Sequence, residues 1–128
     1  MTFEFDPNER FIEVRGGYST GSGRGISVLR LLLDTGASTT VITPLALSGL
    51  TDLSERTGGV HLIETANGDV TAVEVTLPAL FALGQMKEDF SVSVFDFGAT
   101  EFDGVLGLDF LRGRRLCLDF ERGEIEIF

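Results

Sequence analysis

The chain has one cysteine, Cys117, and one histidine, His61, and each scarcity closes off a chemistry. A lone cysteine can form no internal disulfide, which fits a reducing compartment. In "RRLCLDF" it is expected to serve as a small core hydrophobe. With one histidine, any Ser-His-Asp or Cys-His relay would rest wholly on His61, which lies in a strand-like run. No His/Cys cluster offers a zinc site, and neither metal nor other cofactor is expected. Basic residues are also few: 10 Lys and Arg stand against 20 Asp and Glu, a formal net charge of −10. Such a chain is repelled by the nucleic-acid backbone and by anionic membrane surfaces, and its charge serves solubility. Long apolar runs are missing too. A membrane span needs about 18 consecutive apolar residues, whereas Arg30 splits "ISVLRLLL" and "LPALFAL" is short. The opening "MTFEFDPNER" lacks the basic-then-apolar order of a secretory signal, so the cytoplasm is the expected location. Glycine-rich "GSGRG" (residues 21–25) lacks the Lys-Ser/Thr of a phosphate loop.

What is present is alternation. The 128 residues, 43% of them hydrophobic, suit one domain, residues 1–128. Period-two patterning with β-branched and aromatic residues predicts an all-β fold with one or two short helices. "FIEVR" reads as a strand, "GGYSTGSGRG" as a loop and "ISVLRLLL" as a largely buried strand. Thr43-Pro44 has the form of an N-cap followed by a first-turn proline, which predicts a short helix over "PLALSGL". "VHLIETA" and "VTAVEVTL" flank Asn67-Gly68, the preferred pair of a type I′ hairpin. A second hairpin joins "LPALFAL" to "FSVSVFDF" around Gly84 and Gln85. "FDGVLGLDFLRG" predicts a buried strand ending at Gly107 and a short helix through Leu111, and "RLCLDF" and "EIEIF" close the chain as strands.

The chemistry concentrates in "RLLLDTGASTTVI", residues 30–42. An apolar strand ends on a carboxylate, Asp34, followed by a hydroxyl, a glycine and four further small residues. Asp-Thr-Gly by itself is a common turn in which the side chain bonds nearby amides. Here it is answered some seventy residues later by "DGVLGLDFL". In that combination the sequence resembles the retropepsin-like aspartic proteases, whose half-molecule pattern is an apolar strand, Asp-Thr-Gly-Ala, and later two apolar residues and a glycine before a short helix. The matching residues are Leu31 to Leu33, Asp34 to Ala37, and Val105-Leu106-Gly107 before Leu108 to Leu111. The resemblance runs over residues 11 to 128 in order and spacing and implies a closed barrel with a flap hairpin.

It also implies a mechanism. Two carboxylates about 3 Å apart share a proton, one activating water and the other donating to the scissile carbonyl. One Asp-Thr-Gly supplies one acid, so a homodimer would bring Asp34 and its symmetry mate together. By the same resemblance Thr35 hydroxyls tie the two loops across the axis, and Gly36 admits the substrate backbone and takes an unusual φ. Val105 to Gly107 would pack under the loop. Gly36, Ala37, Ser38 and Val105, with Ala66, Asn67 and Gly68 of the flap tip, would contact a peptide substrate. Two departures set this chain apart from viral enzymes. Ser38 replaces an Asp, and Leu108 replaces an Arg, which removes a viral-type support pair. Asp103 is expected to cap a loop, and Asp109 to sit in the first turn of the short helix where the dipole favours a carboxylate. The sequence leaves two rivals standing: an inactive dimerisation or peptide-binding module of this fold, and a small ligand-binding barrel with a chance Asp-Thr-Gly.

Overall fold

The computed structural model describes residues 1–98 and 101–128. Its strands, in chain order, are β1 (Thr2–Glu4), β2 (Glu13–Ser19), β3 (Ile26–Leu33), β4 (Val41–Ile42) and β5 (Thr57–Thr65). β6 (Gly68–Ala82), β7 (Gln85–Val94), β8 (Gly104–Leu106), β9 (Leu116–Asp119) and β10 (Glu124–Ile127) follow. Two four-residue helices, α1 (Leu53–Arg56) and α2 (Leu108–Leu111), complete the fold with a 3₁₀ turn at Leu45–Gly49. The large sheet has the order β2-β3-β8-β4-β7-β6-β5, and a further pairing of β2 with β6 closes all but β5 into a mixed barrel of six strands. This is the expected all-β architecture, a closed barrel with a projecting hairpin and short helices. No helix among the described residues is long and apolar enough to cross a membrane.

Alternation along the strands fills the barrel. Leu29, Leu31 and Leu33 of β3 are buried with Val75, Leu77 and Leu80 of β6, Val92 of β7 and Leu106 of β8. Leu106 on β8 sits between strands of opposite sense: β8 runs parallel to β3 and antiparallel to β4. Slotting one short strand between two earlier ones brings the end of β3, with Asp34, against the end of β8, with Gly107.

β2 is longer than expected. Residues 16–19, assigned to a loop on sequence, continue the strand, and only residues 20–25 form the loop. The two glycines are there because β2 is squeezed from both sides. Gly16 pairs with Leu29 on one neighbour and Ala82 on the other, and a Cβ on it would lie 2.5 Å from the Phe81 carbonyl oxygen and 3.0 Å from Leu31 Cδ1. Tyr18 is fully buried. Its hydroxyl donates to the Ala46 carbonyl at 2.7 Å and accepts the Gly49 amide at 3.2 Å. The helix predicted over "PLALSGL" therefore forms as a 3₁₀ turn clamped by tyrosine, with Thr43 Oγ1 accepting the Ala46 amide at 3.3 Å.

The type I′ turn expected at Asn67-Gly68 does not form there. Thr65 pairs with Gly68, so Ala66 and Asn67 are the central turn residues and Gly68, at φ 103°, begins the return strand. The turn with both central residues at positive φ is Leu83-Gly84 (φ 50° and 68°), which joins the Ala82–Gln85 pair. A leucine accepts the left-handed region there because its side chain is buried, 2% exposed, so core burial offsets the local cost. β6 also runs unbroken through Pro78, joining two runs that the sequence suggested as separate strands. Opposite the proline, between the Leu77↔Phe90 and Ala79↔Glu88 pairs, Asp89 takes φ 48°; a proline has no amide to give the ladder.

The chain ends form a second sheet in the order β1-β10-β9. β1 arises from a stretch to which the sequence assigned no strand. Phe3 packs with Leu116 and Leu118 against buried Ile125 and Ile127. Cys117 corrects the expectation of a core hydrophobe: it pairs with Glu126 on the opposite face and is exposed. Strand alternation, which turns Leu116 and Leu118 inward, turns the residue between them outward.

Replacing Gly16 by Ala drives a Cβ into the β6 backbone. The unfolding free energy should fall by roughly 1–3 kcal/mol, as overpacking does, in a urea titration. An unchanged midpoint would mean that β2 is not held between β3 and β6.

Candidate active site

The segment after β3 turns sharply and is fastened to the segment after β8 at successive points. The Asp34 amide donates to the Leu106 carbonyl at 3.1 Å, the Ala37 amide to the Asp34 carbonyl at 3.1 Å, and the Leu108 amide to the Ala37 carbonyl at 2.8 Å. Gly107 permits this approach: a Cβ there would lie 2.7 Å from the Thr39 carbonyl carbon and oxygen and 2.9 Å from the Ala37 oxygen. The far end of the loop is held by Thr40, which is fully buried. Its hydroxyl accepts the Gly107 amide at 3.1 Å and donates to Asp109 Oδ1 at 2.7 Å, while its amide donates to Asp109 Oδ2 at 3.0 Å.

Asp34 is half-buried at the floor of a cleft of about 680 Å³. Oδ1 accepts the Gly36 amide at 2.8 Å, and no other hydrogen bond reaches the carboxylate from the described residues. Gly36 keeps an ordinary φ, contrary to expectation, since it is absent from the positive-φ positions. The need for glycine is proximity: a Cβ would stand 3.1 Å from Asp34 Oδ1.

The cleft wall gathers Asp34, Gly36, Ala37, Ser38, Ala66, Asn67 and Val105, all predicted site residues. Thr35 and Gly68 are exposed and lie off that wall. The β5–β6 hairpin overhangs the loop, contributing Ile63 and Val70 beside Ala66 and Asn67. Sequence reasoning missed Phe95, Asp96 and Phe97, which also line the cleft. They follow β7 in irregular chain, and the usable signal was two aromatics alternating past a strand end. Asp96 is tied locally, Oδ1 accepting the Gly98 amide at 3.0 Å.

The other acids near the second motif are committed. Asp103 accepts the Arg30 amide at 2.8 Å while its own amide donates to the Arg30 carbonyl, the loop-capping role expected. Asp109 does sit in the first turn of α2, and besides Thr40 it accepts the Phe110 amide at 2.9 Å. The Arg30 guanidinium is exposed and pairs with Glu13, which holds its pKa above the ordinary arginine value through that hydrogen bond. His61, half-buried on β5, contacts Ser93 Oγ through Nε2 at 3.1 Å. That pair belongs to the root of the hairpin and includes no nucleophile in the cleft. Among the described residues no group of three His, Cys, Asp or Glu is arranged to hold a metal ion.

Residues 20–110 match the family described as aspartyl protease. Among solved structures, the chain is similar to a retropepsin-like aspartic protease from Rickettsia conorii, with a TM-score of 0.68 and 17% identity over 98% of this chain and 86% of that one. It is also similar to the EIAV protease in complex with the inhibitor HBY-793, at a TM-score of 0.57 and 22% identity over 82% of this chain and 88% of that one. At these identities the likeness is one of fold. No curated protein sequence matches the chain.

The loop's clasp predicts the cost of a near-isosteric change. Thr40→Val keeps the shape but leaves the buried Gly107 amide without an acceptor. The loss should be roughly 1–3 kcal/mol of stability by chemical denaturation, with faster hydrogen exchange at Gly107. Wild-type exchange at that amide would contradict the hydrogen bond.

Proposed function

The chain belongs to the aspartyl protease family, and on that footing we propose that it is a homodimeric aspartic endopeptidase whose dyad is Asp34 from each of two copies. The observation that carries this reading is the Asp34 loop itself, clasped by Leu106, Gly107 and Leu108 at the floor of a cleft beneath the β5–β6 hairpin. Amide hydrolysis without a covalent intermediate requires one carboxylate as base and one carboxylic acid as donor. The chain has a single Asp-Thr-Gly, and its neighbours Asp103 and Asp109 are engaged by backbone amides. A second copy is the economical source of the missing acid. A two-fold axis presents the same loop twice, with Thr35, exposed in the single chain, placed to bridge the two loops. The open edges of the terminal sheet, β1 and β9, are surface on which two copies can associate.

The hairpin acts as a flap. Its tip residues Ala66, Asn67 and Gly68 close over an extended peptide held strand-like against Gly36, Ala37, Ser38 and Val105. Apolar wall residues Val41, Ile63, Val70, Phe95 and Phe97 favour apolar substrate side chains at the cut. No cofactor is called for, because the dyad and a water supply the whole reaction. The cytoplasm fits a free exposed thiol at Cys117.

Asp34→Asn should purify as a folded dimer, near twice 13.9 kDa by light scattering, and lose cleavage of an apolar peptide by at least ~100-fold. Wild-type turnover by that variant would sink the assignment. A statine-type mimic should bind the wild type tightly, since its geometry is that of the transition state. A dimer that neither cleaves nor binds it would be the inactive module, and a monomer would be the ligand-binding barrel.

The pH dependence has a fixed shape. Below the working range both dyad carboxyls are protonated and the base is lost; above it both are ionised and the donor is lost. Cleavage should follow a bell, with an optimum between mildly acidic and neutral, above the pI of about 4.4, where solubility is lowest. A rate rising steadily into alkali would exclude a shared-proton pair.

A further inference from the structure

We propose that Asp109, which makes no contact with the cleft, is a positioning residue for Asp34; the inference rests on the function proposed above. Its carboxylate grips one residue at two points. Oδ2 accepts the Thr40 amide at 3.0 Å, and Oδ1 accepts the Thr40 hydroxyl at 2.7 Å. That grip orients the hydroxyl. With its proton committed to Asp109, Thr40 Oγ1 can only accept from Gly107, whose amide lies 3.1 Å away. Gly107 in turn is the residue on which the loop rests, its Cα facing the Thr39 and Ala37 carbonyls at distances no side chain could occupy. From the same strand end, Leu106 receives the Asp34 amide and Leu108 donates to the Ala37 carbonyl. Asp109 therefore closes a ring: β3 end, Asp34 loop, Thr40, Asp109, α2, Gly107 and back to the Asp34 amide.

The strength of the grip comes from the form of the acid. An ionised carboxylate offers acceptors only, which matches the donors around it: the Thr40 amide, the Thr40 hydroxyl and the Phe110 amide. Hydrogen bonds to a charged acceptor are about twice as strong as neutral ones. Helix-dipole stabilisation, the role read from sequence, would ask only for exposure at the first turn. Here the side chain is half-buried and turned back on a loop 69 residues away. Because Asp34 must meet its symmetry mate within hydrogen-bond range, a slackened loop should slow the chemical step while leaving the apolar wall, and so peptide binding, intact.

The test compares Asp109→Ala and Asp109→Asn as folded dimers, with kcat and KM measured on one apolar peptide. Alanine should lower kcat roughly 10- to 100-fold with KM moved by less than about threefold, as loss of orientation does. Asparagine should restore most of kcat, since its carbonyl oxygen still accepts the Thr40 amide and its NH₂ can donate to Thr40 Oγ1. An unchanged kcat in the alanine variant overturns the proposal, as does a loss that only follows the folded fraction, or an asparagine variant no better than alanine. If alanine prevents folding, Thr40→Val combined with Asp109→Ser, whose short side chain does not reach Thr40, decides: a single linkage predicts that the double variant is no slower than the slower single one, and additive losses overturn it. Amide exchange at Thr40 and Gly107 is read in parallel and does not depend on turnover. Exchange faster by ~10-fold or more in the alanine variant, or in the serine variant where alanine does not fold, supports the clasp, and wild-type exchange there overturns it. A wild type that neither cleaves nor binds the statine mimic would remove the protease reading, while the exchange data would still decide what Asp109 holds in place.

Discussion

The structure depends on the insertion of β8 between β3 and β4. It is a strand of three residues, Gly104–Leu106, paired parallel on one side and antiparallel on the other. Gly104 opens it because the gap admits nothing larger; a Cβ there would meet the Val41 carbonyl oxygen at 2.4 Å. Leu106 in its middle is fully buried, and its carbonyl takes the Asp34 amide. One short segment thus completes the barrel wall, fills its core and fixes the start of the Asp34 loop. The site is rigid because it is built on the end of a packed strand, with the loop bonded to it in several places.

The rest of the barrel secures that insertion. Among the described residues, closure through the β2–β6 pairing leaves the six-stranded wall without a free edge, and β5, the outer strand of the overhanging hairpin, is the one strand of the large sheet paired on a single side. The wall and the hairpin share strands: β6 is part of the closed barrel in its second half and the return arm of the hairpin in its first. A paired root and a projecting tip on one strand suit the flap role proposed for the hairpin, in which the tip would move while the base keeps register. The His61–Ser93 contact and the Ser93 amide bonded to the Thr40 carbonyl tie that root to the Asp34 loop.

Strand alternation was legible because each strand has one face against the core, so the period-two pattern is imposed by burial. The Asp34 and Gly107 motifs were legible as a pair because the topology sets both at strand ends with small residues around them. Elsewhere tertiary contacts overruled local rules. Gly16 and Gly17 look like loop residues, and only the approach of β6 makes them strand. Leu83 is a poor candidate for positive φ on local grounds, and the core holds it there. Asn67-Gly68 carries the strongest turn signal and still yields a different turn, since Gly68 joins the strand pairing. Cys117 was misplaced because a three-stranded edge sheet buries one face alone. Phe95 and Phe97 were missed because they read as the end of the strand "FSVSVFDF", whereas β7 stops at Val94 and they line the cleft from irregular chain.

Three aspartates stand within the paired motifs, and their donors sort them without reference to any family. Asp109 receives three hydrogen bonds, two from backbone amides and one from a hydroxyl; a carboxylate so engaged is committed to holding backbone. Asp103 receives the Arg30 amide and returns its own to the Arg30 carbonyl, a reciprocal pair that fixes the loop entering β8. Among the described residues Asp34 has a single donor, the Gly36 amide on Oδ1, and the residue lines the cleft with its second oxygen free of protein donors. A carboxylate held by its backbone at a cleft, with one oxygen free of protein donors, is available to a partner in a way that Asp103 and Asp109 are not. Its partner must arrive from outside the chain, as water, substrate or a second acid. On the proposed two-fold arrangement a second copy would bring the second acid to that oxygen, so the single chain's incompleteness as an acid-base pair would be its reason to associate.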